Sequence, residues 1–356
     1  MIRSRALRSR RTRRRTRRRL LAYAAVATAA FVVANTALEG VNRAAFPTTT
    51  TTGVVHSDRV SALLPHTYWV FFPGFGIDFC PDVERALVPL TTNYGRSFCV
   101  APSPAGLDPA EIARAVRARV DADRGQQEPV TLYLYGISMG GMIAYDVARQ
   151  LDGHAGITVR ALVFDSSPAG PESVSGAKKY AVKAGAQINR LPDLPGGIPN
   201  PLKGGPLSRF VVHTGESLVA NVRAGRWPLS EQDVTFAWYK ATRVTSDGVA
   251  NQLHYIETFY PNADPNALPY ASFAYLRASD PGADTTVDVM RATATYAALV
   301  APRKLASYAI VGGSHASADT TAASYARALG AFVREAGLPT ADDVERLRAT
   351  EVYRPR

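Results

Sequence analysis

Cysteine is nearly missing from this chain: two occur among 356 residues, Cys80 and Cys99. With so few clustered ligand side chains, a zinc site is not expected. Histidine is scarce as well, with six, so any general base comes from a short slate. Acidic residues are absent from positions 1–19, which hold eleven arginines. Removing those eleven from the 41 lysines and arginines leaves 30 basic against 30 acidic residues. The body of the chain is therefore formally neutral, and its net charge of +11 belongs to one terminal tail. That distribution excludes the basic footprint of a nucleic-acid-binding domain. No internal repeat is present. A composition 46% hydrophobic and 20% charged is that of a globular chain.

Charge is also absent from LLAYAAVATAAFVVANTAL, Leu20 to Leu38. As a helix this run spans about 28 Å, close to the ~30 Å hydrocarbon core of a bilayer. Arginines preceding an apolar run mark the cytoplasmic side, which places everything after it outside. A cleaved signal peptide shares the layout, with a cut after Ala34, and Arg17-Arg18 also resembles a twin-arginine export signal. Both outcomes, a membrane-anchored body or a secreted one, imply export. In an exported protein a disulfide between Cys80 and Cys99 is the expectation.

The chain reads as an Arg-rich tail (1–19), the apolar segment (20–38), a Thr-rich linker (39–58) containing PTTTTTG, a folded body (59–337) and a polar C-terminal tail (338–356). Within the body, apolar runs alternate with helical patterns. Strands are expected at 67–74, 96–103, 130–136, 159–167, 272–279 and 305–313. Helices are expected at 82–90, from Asp108 onward, in MGGMIAYDVARQL and from Thr320 to Gly337. Asp108 is placed to cap its helix, Pro109 suits the first turn, and Ile112, Val116 and Val120 recur on one face. Such alternation predicts an α/β fold, a mostly parallel sheet with helices on both faces. Residues 169–268 break the rhythm and are too many for a loop, which predicts an inserted cap.

The stretch LYLYGISMGGMIAYDVA holds Ser138 in a G-x-S-x-G pattern. At this content of glycine and serine the pattern arises by accident in roughly one chain in eight, so its context decides. A strand ends at Gly136 and a helix opens at Gly140 and Gly141, as the crowded turn that presents a nucleophilic serine requires. A serine hydroxyl needs a base, and the base needs a group to orient it. His56, His66, His154, His213 and His254 fall in linker, loop or insertion. His315, in VGGSHAS, follows the last apolar strand, which puts it on the same carboxyl edge of a parallel sheet as Ser138.

With YGISMGG, the late VGGSH and acids between them, the chain resembles the α/β-hydrolase superfamily of serine esterases and lipases, over roughly residues 65–337. The resemblance implies a triad in the order Ser, Asp, His and no cofactor. It makes Asp284 the acid through the D-x-x-V spacing to Val287. Asp280 lies nearer the strand end, and Asp165 occupies a position that some relatives use, so all three stay open. It also implies an oxyanion hole made by the backbone N–H groups of Met139 and Phe75. Two departures stand out: Ile137 where many members carry His, and Pro73-Gly74 where many carry His-Gly.

The expected activity is hydrolysis of a small-molecule or lipid-like carboxylic ester through an acyl-enzyme. Peptidase, thioesterase and perhydrolase chemistry share the same residues, and a hydrolase-fold binding module without turnover is the remaining alternative. The insertion supplies Trp227, Phe236, Trp238, Tyr239, Tyr255, Phe259 and Tyr260, which serve equally as an acyl pocket or as the insertion's own core.

Overall fold

Apolar runs become the centre of a seven-stranded sheet in the computed structural model, which describes residues 2–346. Positions 47, 58–60, 77–79, 105, 125–127, 155, 177, 190, 201–202, 224, 226, 260–266, 341 and 344 are not described. Tyr260 and the last ten residues of the expected C-terminal tail thus lie outside the described residues. The strands are β1 (Thr51–Thr52), β2 (Thr67–Phe72), β3 (Arg96–Ala101), β4 (Val130–Ile137), β5 (Ile157–Asp165), β6 (Ser272–Ala278) and β7 (Leu305–Ile310). The first helices are α1 (Ile2–Ala45), α2 (Cys80–Thr91), α3 (Pro109–Arg124), α4 (Met139–Leu151) and α5 (Lys178–Asn189). They are followed by α6 (Pro206–Arg223), α7 (Glu231–Thr242), α8 (Ser246–Thr258), α9 (Val289–Val300) and α10 (Ala322–Glu335). By internal contacts the chain forms two units, residues 46–190 with 247–356, and residues 1–45 with 191–246.

The larger unit holds the whole sheet, in the order β1-β3-β2-β4-β5-β6-β7. Only β1 runs antiparallel to its neighbour. Every residue of β2 is buried, because helices cover both faces of the sheet. Successive side chains alternate between those faces. Tyr68, Val70, Phe72, Leu132 and Leu134 share a core with α3, α4 and α9. Trp69, Phe71, Tyr133 and Tyr135 pack with α2 and α10. In α3 the expected punctuation is present. The Asp108 carboxylate accepts from the Ala110 N–H at 2.9 Å, and Ile112, Val116 and Val120 are fully buried. Each such side chain contributes about 1.5–3 kcal/mol by leaving water.

The Thr-rich segment supplies β1: Thr51 and Thr52 lie opposite Ala101 and Val100, and the Gly53 N–H donates to Cys99 O at 2.7 Å. An open strand edge is a template for any extended neighbour, and β3 takes these threonines. A second tie lies beside it. Cys80, the first residue of α2, is disulfide-bonded to Cys99 of β3 with Cα atoms 5.9 Å apart.

The smaller unit is helical. Helix α1 changes character along its length. Leu20, Leu21, Tyr23, Val26 and Val33 are exposed, whereas Asn35, Glu39 and Asn42 are buried. The spacing 35, 39, 42 puts these three on one helix face. The Asn35 side-chain oxygen accepts from the Leu207 and Ser208 N–H groups at 2.9 and 3.3 Å, at the start of α6. Glu39 pairs with Arg209 at 3.2 Å and accepts from the Ser246 N–H at 2.6 Å. Asn42 donates to Val244 O at 3.0 Å, and Arg43 pairs with Asp193 at 2.9 Å. These partners carry the helix on past the apolar run to Ala45.

Closing a loop of this length by a disulfide stabilises a fold by roughly 3 kcal/mol. The Cys80→Ala, Cys99→Ala double variant is expected to lose about that much in urea denaturation followed by circular dichroism. An unchanged midpoint would show that the strand pairing alone holds this edge.

Candidate active site

Parallel strands deliver their carboxyl ends to one edge, and the loops there carry the candidate residues. Ser138 sits between β4 and α4 with φ 52° and ψ −124°, a backbone region that is strained for a residue with a side chain. The glycines around it answer a steric demand. A Cβ on Gly136 would lie 2.2 Å from the Gly141 Cα, and one on Gly140 would lie 2.2 Å from the Phe72 carbonyl oxygen. The turn is locked by the end of β5 and the residues just past it: the Ser138 N–H donates to Asp165 O at 2.8 Å, and Ser167 Oγ donates to Ser138 O at 2.6 Å.

His315 follows β7 in the loop before α10. Its Nε2 stands 2.9 Å from Ser138 Oγ. Its Nδ1 stands 2.9 and 3.1 Å from the two carboxylate oxygens of Asp284. Asp284 lies past β6 with its side chain wholly buried, and its Oδ1 also accepts from the Thr286 and Val287 N–H groups, each at 2.9 Å. The D-x-x-V spacing thus has a local purpose, since Val287 supplies an N–H to the carboxylate. Burial pushes the Asp284 carboxyl up, but the hydrogen bond and charge of His315 and the two backbone donors outweigh it. The group is held below the ordinary carboxylate range.

The other two acids are occupied elsewhere. Asp280 is exposed and accepts from the Gly282 N–H at 2.9 Å, an ordinary turn aspartate. Asp165, at the end of β5, is fully buried. It accepts from the Tyr135 hydroxyl at 2.7 Å and from the Tyr325 hydroxyl at 2.8 Å. Tyr325 in turn accepts from the Ser317 N–H at 3.1 Å, two residues past His315. Asp165 is therefore linked to both sides of the site, to Ser138 through its carbonyl and to the His315 loop through Tyr325. Burial pushes its carboxyl up to about 6, against the two hydroxyl bonds that favour the charge.

Met139 opens α4, whose N-terminal end favours developing negative charge beside Ser138. Phe75 lies in the loop after β2, which reaches the serine closely: a Cβ on Gly74 would stand 3.1 Å from that of Ser138. The next N–H, of Gly76, donates to the side chain of buried Gln252 in α8 at 3.0 Å. Gln252, Ser167 and Tyr325 all support the site, and none lies in a recognisable motif. Of the insertion's aromatics, Tyr255 donates to Asp146 of α4 at 2.6 Å, and Phe259 packs edge-on against Tyr145. Both belong to the core of the sheet unit. Trp227, Phe236 and Trp238 belong to the helical unit and are exposed.

A family model described as a thioesterase domain matches residues 101–202. That stretch runs from the end of β3 through Ser138 to beyond α5. No curated protein matches the chain. Among solved structures, one from Burkholderia cenocepacia, provisionally described as an aryl esterase, superposes with a TM-score of 0.52 at 15% identity. The match covers 82% of this chain and 97% of that one. A lipase-esterase related protein from Clostridium acetobutylicum gives 0.48 at 15% identity, over 80% and 99%. At such identity the likeness is one of fold.

A carboxyl whose folded value is raised holds its proton to higher pH than in the unfolded chain. Asp165 thus contributes stability at pH values below about 3.9 that is lost as pH rises to about 6. In thermal melts between pH 4 and 7, Asp165→Asn is expected to remove this component and flatten the pH dependence. Identical profiles for variant and parent would show that Asp165 is ionised throughout.

Proposed function

We propose that this chain, which has the α/β-hydrolase fold, is an exported serine hydrolase that cleaves carboxylic esters through an acyl-enzyme. The observation that carries the reading is the unbroken hydrogen-bond chain Ser138–His315–Asp284. In the ground state Asp284 accepts the Nδ1 proton of His315, leaving Nε2 as the acceptor for the serine hydroxyl. Ser138 Oγ attacks the acyl carbon while His315 Nε2 takes its proton. The carbonyl oxygen becomes an oxyanion facing the N–H groups of Met139 and Phe75. Collapse breaks the bond to the alcohol oxygen, which leaves with the proton from Nε2. Water then repeats the sequence on the acyl-enzyme, delivering a proton to Nε2 and releasing the acid and the free serine.

The match to a thioesterase domain over the segment that bears Ser138 favours a second reading, in which the leaving atom is sulfur. The same groups serve it, because a thiolate leaves with less need of protonation. Helix α1 supports the export part of the proposal. Its residues 19–45 are long and apolar enough to cross a bilayer, and eleven arginines stand on its N-terminal side. Because the helix runs unbroken through Ala34, where the alternative cut would fall, to Ala45, we read the segment as retained, with the body outside the membrane.

Purified full-length protein in detergent is expected to label with a fluorophosphonate probe, and Ser138→Ala to abolish the label. Asp284→Asn is expected to lower hydrolysis of p-nitrophenyl esters by about 10³–10⁴-fold through the wrong histidine tautomer, with Asp280→Asn close to the parent. Labelling that persists in Ser138→Ala would show that Ser138 is not the nucleophile, and no label with no turnover of any ester or thioester by the parent would replace this reading by a binding module. Comparing oxygen esters with thioesters of one acyl chain decides the leaving group.

A further inference from the structure

Helix α6 carries an apolar stripe whose valines are left exposed by the described residues. At 100° per residue, Val211, Val212, Gly215, Leu218, Val219 and Val222 fall within a sector about 120° wide, the width by which an amphipathic helix usually faces a core. Here it faces none: Val211, Val212, Val219 and Val222 are each at least half exposed. Helix α7 takes a different side of α6, through Phe210 against Trp238 and Asn221 bonded to Asp233. The stripe is part of a wider pattern. Outside α1, sixteen large hydrophobic side chains of the described residues are markedly exposed, and ten of them fall within 191–246. Trp227, the most exposed of these ten at 71%, follows α6 in the turn toward α7, and tryptophan favours the membrane–water boundary.

The position of α6 along α1 says what covers this surface. The bonds between the two helices are confined to the start of α6, at Asn35 with Leu207 and Ser208, and at Glu39 with Arg209. Within three residues α6 is exposed at Val211 and Val212, so it departs from α1 rather than running along it. Glu39 stands just past the end of the uncharged run of α1, about 28 Å from Leu20, and Asn35 one turn inside it, at about 22 Å. With that run across a bilayer, α6 begins at the outer edge of the hydrocarbon.

We propose that α6 lies in the outer headgroup boundary of the bilayer that α1 crosses, with Val211, Val212, Val219 and Val222 turned to the acyl chains and Trp227 among the headgroups. The occupant of the apolar face is lipid, and the unit 1–45 with 191–246 is a membrane-seated element with two points of insertion. This rests on the reading that α1 stays in the membrane.

The test uses the full chain in phosphatidylcholine–phosphatidylglycerol nanodiscs, with single spin labels on introduced cysteines. Both native cysteines are disulfide-bonded and leave no competing thiol. Labels at Val212→Cys and Val219→Cys are expected to show a several-fold higher ratio of oxygen to nickel-chelate accessibility than one at Glu216→Cys, approaching that at Val26→Cys. If position 26 reports lipid while 212 and 219 match 216, α1 is anchored and the proposal for α6 is wrong. Labels at 212 and 219 shielded from both reagents would mean a protein partner on this face, which also overturns it. A water-exposed label at 26 would overturn the anchor itself, and with it the seat of α6.

Discussion

The approach of helix α4 to the sheet is the constraint on which the site depends. Gly140 lies so near the Phe72 carbonyl, and Gly136 so near Gly141, that no side chain fits at these positions. That contact forces the chain through a turn in which Ser138 takes a positive φ, and the turn lifts its hydroxyl to within 2.9 Å of His315. Strain at one residue is tolerable because its surroundings over-determine it. The Ser138 N–H and carbonyl are each held by groups at the end of β5.

Asp165 shows how a buried carboxylate can be retained away from His315, on hydroxyl partners of its own. Isolated, a carboxylate at this depth would be strongly disfavoured. Two tyrosine hydroxyls offset part of that cost, and both tyrosines are held at the carboxyl edge by the same residue. Asp284, one strand over, keeps its charge by a different device, with two backbone N–H groups and His315. Two carboxylates thus share one edge in contrasting electrostatic states, one held below the ordinary range and one pushed above it.

Much of this was legible in the residues alone. The strands were marked by apolar runs, the turn at Ser138 by its three glycines, and His315 by its place after the last strand. Asp284 is one of three open acids, and the spacing could not say that its carboxylate stands against His315 while Asp280 and Asp165 bond other groups. What could not be read were the contacts that tie distant segments. Tyr325 looks like one more aromatic of a terminal helix, and Gln252 like one more polar residue of α8. Their importance comes from burial beside a backbone or side-chain group that local patterns do not specify. The threonines at 51 and 52 read as a spacer because only the open edge of β3 makes them a strand.

Helix α1 adds a constraint of a different kind. Glu39 is 207 residues from the Ser246 N–H it accepts, and Asn35 is 172 residues from Leu207. A chain made from its N-terminus must therefore complete Ser246 before Glu39 can be satisfied. Until then the helix carries a polar stripe without its final partners. Loop-closure entropy makes such distant pairings late. A helix made early is thus among the last to be finished, and truncation anywhere before residue 246 leaves Glu39 of α1 without its bond to the Ser246 N–H.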